Sequence, residues 1–190
     1  MEEKLRQEPA NIIKIVLFGP ESTGKTTLSK LLADHYNTEW VPEYAREYLQ
    51  NKWDLEQKTC ENHDLLPIAV GQIQLENELA KKATKLLICD TDILETMVYS
   101  LTYYGGTVDP VLEKAALENT YDLYFLTSID IPWEKDDLRD RPEQRQEMFN
   151  AFEKALIDYN RPYILLTGDT ISRFKKVTKI LDNLIQEKYG

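Results

Sequence analysis

Residues 12–26 read Ile-Ile-Lys-Ile-Val-Leu-Phe-Gly-Pro-Glu-Ser-Thr-Gly-Lys-Thr. A mostly apolar run, Ile12–Phe18, leads directly into Gly19-Pro20-Glu21-Ser22-Thr23-Gly24-Lys25-Thr26, a full match to G-x-x-x-x-G-K-[ST]. Leu28, Leu31, Leu32 and Tyr36 then recur at helical spacing. A strand, a glycine turn and a helix in that order are what a phosphate-binding loop requires. Its backbone N–H groups must turn inward around phosphate oxygens at the positive end of the helix dipole. Gly19 and Gly24 leave room where the chain bends or approaches the ligand. The segment Gly19, Pro20, Glu21, Ser22, Thr23, Gly24, Lys25, Thr26 and Thr27 is the expected ATP cradle. Lys25 supplies a mobile cation to the terminal phosphates, and the Thr26 hydroxyl joins a Mg²⁺ shell.

Four more short apolar runs follow: Glu39–Val41, Lys85–Asp90, Leu123–Thr127 and Tyr163–Leu166. Their cores are continuous rather than alternating, which suits strands covered on both faces of a parallel sheet. Helical patterns separate them. Glu61–Lys85 is one long helical stretch, while Gly105-Gly106 and Asp109-Pro110 divide the region after Asp92 into two helices. Phe149, Phe152, Leu156 and Tyr159, then Phe174, Val177, Leu181, Leu184 and Ile185, mark the last two helices. Strands alternating with helices predict right-handed crossovers and a three-layer α/β/α sandwich. The chain is short enough for one domain, 12–190, after a polar leader, 1–11, expected to fray.

Composition narrows the partners. With 33 acidic against 23 basic residues the net charge is −10, unlike the basic surface that binds a phosphate backbone. Cys60 and Cys89 are too few for a disulfide framework and point to a reducing compartment. Ile12–Phe18 is too short to span a bilayer, and Met1-Glu2-Glu3 is unlike a secretory signal. A cytoplasmic protein with a small-molecule partner, and neither nucleic acid nor membrane, is expected; a homo-oligomer is left open.

In an open α/β sheet the ligand sits at the carboxyl ends of the strands. Leu87-Ile88-Cys89-Asp90-Thr91-Asp92 brings two carboxylates to that rim. Asp90 is favoured for the metal or its water and Asp92 for the acceptor, the alternative being a helix cap at Asp92 or Thr91. After the second strand, Glu43 and Arg46 share one face of a starting helix, either as acceptor-side groups or as an ordinary ion pair. Arg139, Arg141 and Arg145 cluster after the fourth strand in a lid, 131–146, that would neutralise transferred charge and exclude water; a solvated, salt-bridged loop is the alternative. Trp133 could stack on a base or serve as an aromatic anchor. His35 and His63 have no third partner at ligand spacing along the chain, and Cys89 reads as core.

Phe-Gly-Pro-Glu-Ser-Thr-Gly-Lys-Thr-Thr-Leu from Phe18, Glu43-Tyr44-Ala45-Arg46-Glu47-Tyr48, Cys89-Asp90-Thr91-Asp92 and the Trp133–Arg139 stretch resemble the ribosylnicotinamide kinase domain of NadR-type proteins. The resemblance runs from about Ile12 to the C-terminus. It implies a P-loop kinase whose five-stranded parallel sheet has the order 2-3-1-4-5. The implied reaction moves the γ-phosphate of ATP to the 5′-hydroxyl of nicotinamide riboside, giving nicotinamide mononucleotide for NAD salvage. It further implies that Glu43, Tyr44 and Arg46 belong to the acceptor side, that Asp90 and Asp92 serve metal and ribose, and that Arg139 and Arg141 serve the lid. Thr167-Gly168-Asp169 would lie beside adenine. The chain has Pro42 where such proteins have Trp, with Trp40 two residues earlier, and its length leaves no room for an adenylyltransferase domain. The expected product is therefore the mononucleotide. A kinase for a deoxynucleoside or a vitamin alcohol, and a nucleotide-dependent regulatory ATPase, are the other readings.

Overall fold

Along the first strand, β1 (Ile13–Phe18), every residue is buried. Successive side chains of a strand point to opposite faces, so Ile13, Ile15 and Leu17 enter one apolar layer while Val16 and Phe18 enter the other. Helices cover both sides, which is why the run is continuously apolar. The computed structural model describes residues 2–136, 138 and 142–190. Arg139 and Arg141 lie outside the described residues.

The remaining strands are β2 (Trp40–Val41), β3 (Leu86–Asp90), β4 (Leu123–Thr127) and β5 (Tyr163–Leu166). All pair in parallel, in the order β2-β3-β1-β4-β5, as the resemblance implied. Ile15 stands opposite Ile88 and Leu123, which places β1 at the centre. Helices α1 (Lys25–Tyr36) and α7 (Thr170–Tyr189) cover the Ile15 face. Helices α3 (Leu65–Ala80), α4 (Ile93–Tyr103), α5 (Pro110–Glu118) and α6 (Arg145–Asp158) cover the other, and α2 (Tyr44–Glu56) packs on α3. None of the helices among the described residues is long and apolar enough to cross a membrane.

Three expectations change. The first three strands each start one residue later than their apolar runs, at Ile13, Trp40 and Leu86 rather than Ile12, Glu39 and Lys85. The stretch from Glu61 to Lys85 contains a shorter helix, because Glu61 and Asp64 cap each other reciprocally around a 3-10 turn, Asn62–Asp64, and α3 begins after it. Pro67 then falls in the first turn of α3, where its missing N–H is tolerated. The leader, expected to fray, packs on the core in this structure. Leu5 is fully buried against the core, and the Gln7 side chain donates to Glu76 Oε1 at 2.8 Å and to Thr120 O at 3.1 Å. The same Glu76 compensates the one charge inside β1. Lys14 Nζ lies 3.0 Å from Glu76 Oε1, and Tyr121 donates to Oε2 at 2.7 Å.

Candidate functional site

At the carboxyl end of β1 the chain turns sharply into α1. Gly19 has φ 137°, and a Cβ there would lie 2.6 Å from Thr127 Oγ1 and 3.0 Å from Thr127 O. Glycine is thus required where the loop presses against the end of β4. Thr23 Oγ1 donates to Pro20 O at 2.8 Å and stands 2.7 Å from Thr127 Oγ1, closing the loop on itself. Gly24, at φ 81°, starts α1 without a side-chain cap. The first-turn N–H groups of that helix have no intrahelical partner, the arrangement that receives an anion.

Lys25 is buried and folded back onto the loop. Its ammonium donates to Gly19 O at 2.5 Å and Pro20 O at 2.9 Å, and stands 3.7 Å from Glu95 Oε1. Burial by itself would depress this ammonium, but Glu95, Glu43, Asp90 and Glu21 surround it and raise its pKa above the ordinary value. Lys25 is therefore charged, and it sits where a phosphate tail would draw it away from the loop carbonyls.

The two aspartates of β3's end diverge. Between them Thr91 has φ 71°, a conformation that a β-branched residue seldom adopts, and its N–H donates to Leu17 O at 3.0 Å. Asp90 therefore turns toward the loop. Its Oδ2 accepts from Thr26 Oγ1 at 2.5 Å, while its buried Oδ1 has no hydrogen-bond partner. Burial, followed by the neighbouring Glu43 charge, pushes the Asp90 carboxyl up to about 7. An orphaned buried carboxylate oxygen beside a threonine hydroxyl has the hard oxygen chemistry of a Mg²⁺ site, so the residues present fit the expected ion.

Asp92 turns the other way, into the core. It caps α4, accepting from Glu95 N at 3.2 Å, and its second oxygen accepts from Tyr124 Oη at 2.7 Å. Both oxygens are engaged, and Asp92 lines neither cavity of the site. This corrects the expectation that Asp92 faces the acceptor. Burial raises its carboxyl to about 7, against about 3.9 in an unfolded chain. Because the folded state holds this proton more tightly, the stabilising contribution is complete below pH ~4 and is lost as pH rises through ~7. Asp92→Asn retains a capping oxygen without the charge. Thermal unfolding of that variant should flatten between pH 4 and 8 relative to the parent. At pH 8 we expect a gain on the order of 1 kcal/mol, about 2–4 °C in Tm; an unchanged pH slope would refute the buried placement.

Glu43 owes its position to α3. Gln72, buried, accepts from Tyr44 N at 2.8 Å and donates to Pro42 O at 3.3 Å, gripping the chain on both sides of Glu43. The Tyr44 ring lies against Gly71, where a Cβ would fall 2.1 Å from it. Glu43 borders two cavities. One is a groove of about 740 Å³ along residues 21–27, which also touches Asp90, Tyr44 and Arg46. The other is a smaller cavity walled by Tyr99, Tyr103 and Tyr104, with Glu95 and Gln72 also lining it. The smaller cavity carries Glu21, Glu43 and Glu95, and among the described residues that line it there is no Lys or Arg. A larger groove of about 980 Å³ lies under the leader, at the amino ends of β1 and β4, remote from the phosphate loop.

Arg46 pairs with Asp136 at 2.6 Å, linking α2 to the lid segment. Arg145 donates to Ser22 O at 3.1 Å and Ile131 O at 2.9 Å, and Glu134 N donates to Ser22 Oγ at 2.8 Å. The described part of the lid is thus fastened to the phosphate loop. Trp133 lies beneath the Arg145 guanidinium, 5.5 Å from its ring centre, and lines neither cavity. In this structure it is an aromatic anchor for Arg145. Of the Thr167-Gly168-Asp169 turn, Gly168 N donates to Asp130 Oδ2 at 2.6 Å and Asp169 caps α7. The next residue, Thr170, borders the groove. His63 does come near two acids, Glu61 and Asp64, despite its isolation in the sequence, but Lys52 already bonds both carboxylates, at 2.7 and 2.6 Å.

Two site residues were missed by reading the sequence. Glu95, three residues past Asp92, looks like an ordinary first-turn acid. Arg173 stands in the first turn of α7, where the helix dipole disfavours a cation, and that misplacement was its available signal. It is almost fully buried and donates to Thr23 O at 2.6 Å and Ser128 O at 2.9 Å, while also pairing with Asp130.

A lysine-bearing loop of this build, on a sheet of this order, defines a P-loop fold of the kind that nucleoside and nucleotide kinases share. The AAA domain family matches residues 14–173, and the chain belongs to that family. It is 27% identical over 184 residues to the trifunctional NAD biosynthesis/regulator protein NadR of Escherichia coli, and 26% identical to that of Salmonella typhimurium. In each case the match covers 95% of this chain and 45% of the relative, so the chain spans less than half the length of those proteins. Among solved structures, a NadR protein in complex with NR superposes with a TM-score of 0.77 at 19% identity, over 91% of this chain and 51% of that one. Deoxyadenosine kinase from M. mycoides gives 0.61 at 17% identity, over 90% of this chain and the whole of that one.

Proposed function

We propose that this chain is an ATP-dependent, cytoplasmic kinase that phosphorylates the 5′-hydroxyl of nicotinamide riboside to nicotinamide mononucleotide. The observation that carries the reading is the second cavity. It adjoins the phosphate groove, is walled by three tyrosines, and presents Glu21, Glu43 and Glu95 without a lining Lys or Arg among the described residues. Nicotinamide riboside carries a positively charged aromatic ring, which such a cavity would hold by stacking, cation–π attraction and charge. A neutral base gains only the first of these. The likeness to NadR, named for NAD biosynthesis, supports the same acceptor.

In the proposed mechanism, residues 19–27 hold the triphosphate tail, with adenine toward Thr167–Thr170. Lys25 leaves the Gly19 and Pro20 carbonyls for the terminal phosphates. Thr26 and Asp90 would hold Mg²⁺, which when bound neutralises charge on the phosphate oxygens. Arg139 and Arg141 serve the lid in this reading, and Arg46, with Tyr44, borders the acceptor side. A carboxylate of the rim orients the hydroxyl for in-line attack. Because the transition state of phosphoryl transfer is loose, positioning matters more than base strength.

The test is an ATP-consumption assay on a nucleoside panel that includes nicotinamide riboside and its uncharged reduced form. Nicotinamide riboside should be the best acceptor. The reduced form should lose roughly tenfold in kcat/KM, corresponding to ~1.4 kcal/mol for the missing charge. Strong activity on deoxynucleosides with none on the pyridine riboside would replace this acceptor by a neutral nucleoside. Phosphate release that needs no acceptor and responds to a protein partner would instead indicate a regulatory ATPase.

A further inference from the structure

We propose that Glu95 is the catalytic residue that receives the acceptor hydroxyl. The inference rests on the kinase reading above and adds to it the residue that completes the reacting geometry. Three carboxylates at this end of the sheet compete for the role. Asp92 has both oxygens engaged, by Glu95 N and Tyr124 Oη, and lies outside both cavities. Glu43 sits at the mouth, partly exposed, bordering both cavities at the N-cap of α2. Glu95 differs from each. Its side chain is 4% exposed, it lines the tyrosine-walled cavity, and its Oε2 is buried with no hydrogen-bond partner.

Distance gives the assignment its chemistry. Glu95 Oε1 stands 3.7 Å from Lys25 Nζ. That ammonium belongs to the phosphate loop and serves the terminal phosphates when ATP is bound, so the carboxylate beside it stands where the loop meets the tyrosine-walled cavity. A hydroxyl lying between Oε2 and the γ-phosphorus has its proton directed at the carboxylate and its lone pair at phosphorus. A buried carboxylate oxygen without a donor is strongly unfavourable, and an acceptor hydroxyl supplies the missing donor. Burial raises the Glu95 carboxyl well above the ordinary glutamate range and the Lys25 charge opposes that rise, so Glu95 holds a proton firmly once it has received one.

The step balances without a further reagent. The 5′-oxygen forms its bond to the γ-phosphorus as the bond from that phosphorus to the β,γ-bridging oxygen breaks. ADP leaves with that electron pair. The hydroxyl proton passes to the Glu95 carboxylate and from there to solvent.

Glu95→Gln keeps the size and removes the proton acceptor. We expect kcat for transfer to fall at least 100-fold, while a non-hydrolysable ATP analogue binds as tightly as to the parent, or more tightly because Lys25 is released. Unchanged kcat with altered analogue binding alone would make Glu95 a mere counter-ion of Lys25 and overturn the proposal. A Glu43→Gln variant that carries the whole kcat loss would do the same. Should Glu95→Gln fail to fold, Glu95→Asp decides: it retains the charge but withdraws the oxygen by one methylene, so at least tenfold lower kcat with intact analogue binding supports the assignment and parental kcat defeats it. The parent protein is assayed alongside on the nucleoside panel. If it ignores nicotinamide riboside but phosphorylates another nucleoside, the acceptor reading fails while Glu95 is still tested on that nucleoside.

Discussion

Replacing Lys25 by alanine should lower phosphoryl transfer by at least a thousandfold in kcat/KM and leave a folded protein. The size of the effect follows from what the ammonium does. It is a buried cation set among Glu95, Glu43, Asp90 and Glu21, and it must cross from loop carbonyls to phosphate oxygens for the γ-phosphoryl to separate from its bridging oxygen. Removing a single preorganised charge-stabilising donor typically costs ~10²–10³ in rate. Here the lysine also offsets four carboxylates that would otherwise repel the nucleotide itself, so ATP binding weakens along with turnover. Folding survives because the acids left without their cation can take up protons; Asp90 already titrates at about 7. The variant should accordingly be more stable below neutral pH than above it. Lys25→Arg should not rescue transfer, since a planar, forked guanidinium does not reproduce a compact ammonium at the phosphates. Steady-state transfer together with equilibrium binding of an ATP analogue checks both parts. Near-parental turnover in Lys25→Ala would refute the phosphate-loop assignment outright.

The same residues explain how much could be read from the chain alone. Sheet and loop were legible because their causes are local. A continuously apolar run means cover on both faces, and the spacing of Gly19, Gly24 and Lys25 admits few other uses. The position of Glu43 was legible too, since a strand end followed by a helix start fixes it within a residue or two. What escaped depends on contacts far apart in sequence. Asp90 and Asp92 look equivalent in Cys89-Asp90-Thr91-Asp92, yet the left-handed turn at Thr91 sends one to the loop and the other to Tyr124. The helix that Asp92 caps then carries Glu95, one turn on, into the wall of the cavity that Tyr99, Tyr103 and Tyr104 line. The leader looked polar enough to fray, but one apolar residue, Leu5, with Gln7 beside Glu76, fastens it to the core. Trp133 could be seen as an aromatic beside a cluster of arginines, but not that Arg145 covers it.

Arg173→Ala should produce the other large effect, and in two separable parts. The guanidinium is 1% exposed and joins three pieces of chain: Thr23 O of the phosphate loop, Ser128 O after β4, and Asp130, which also accepts from Gly168 N before α7. Truncation strands two carbonyls and one carboxylate. Breaking a buried pair from one side costs ~3–5 kcal/mol. Asp130 is 37% exposed, so water recovers part of that, and about 3 kcal/mol is expected, or roughly 6–12 °C in Tm. The second part is functional. Because Thr23 O is held from α7, the loop that cradles phosphate takes its shape from the far end of the chain, and KM for ATP should rise at least tenfold while KM for the acceptor moves little. Removing Asp130 as well, in a double variant, should return much of the stability by deleting the stranded charge, yet leave the ATP defect in place, since Thr23 O still lacks its donor. A loss of Tm with unchanged ATP affinity would confine Arg173 to the scaffold and sever its connection to the loop.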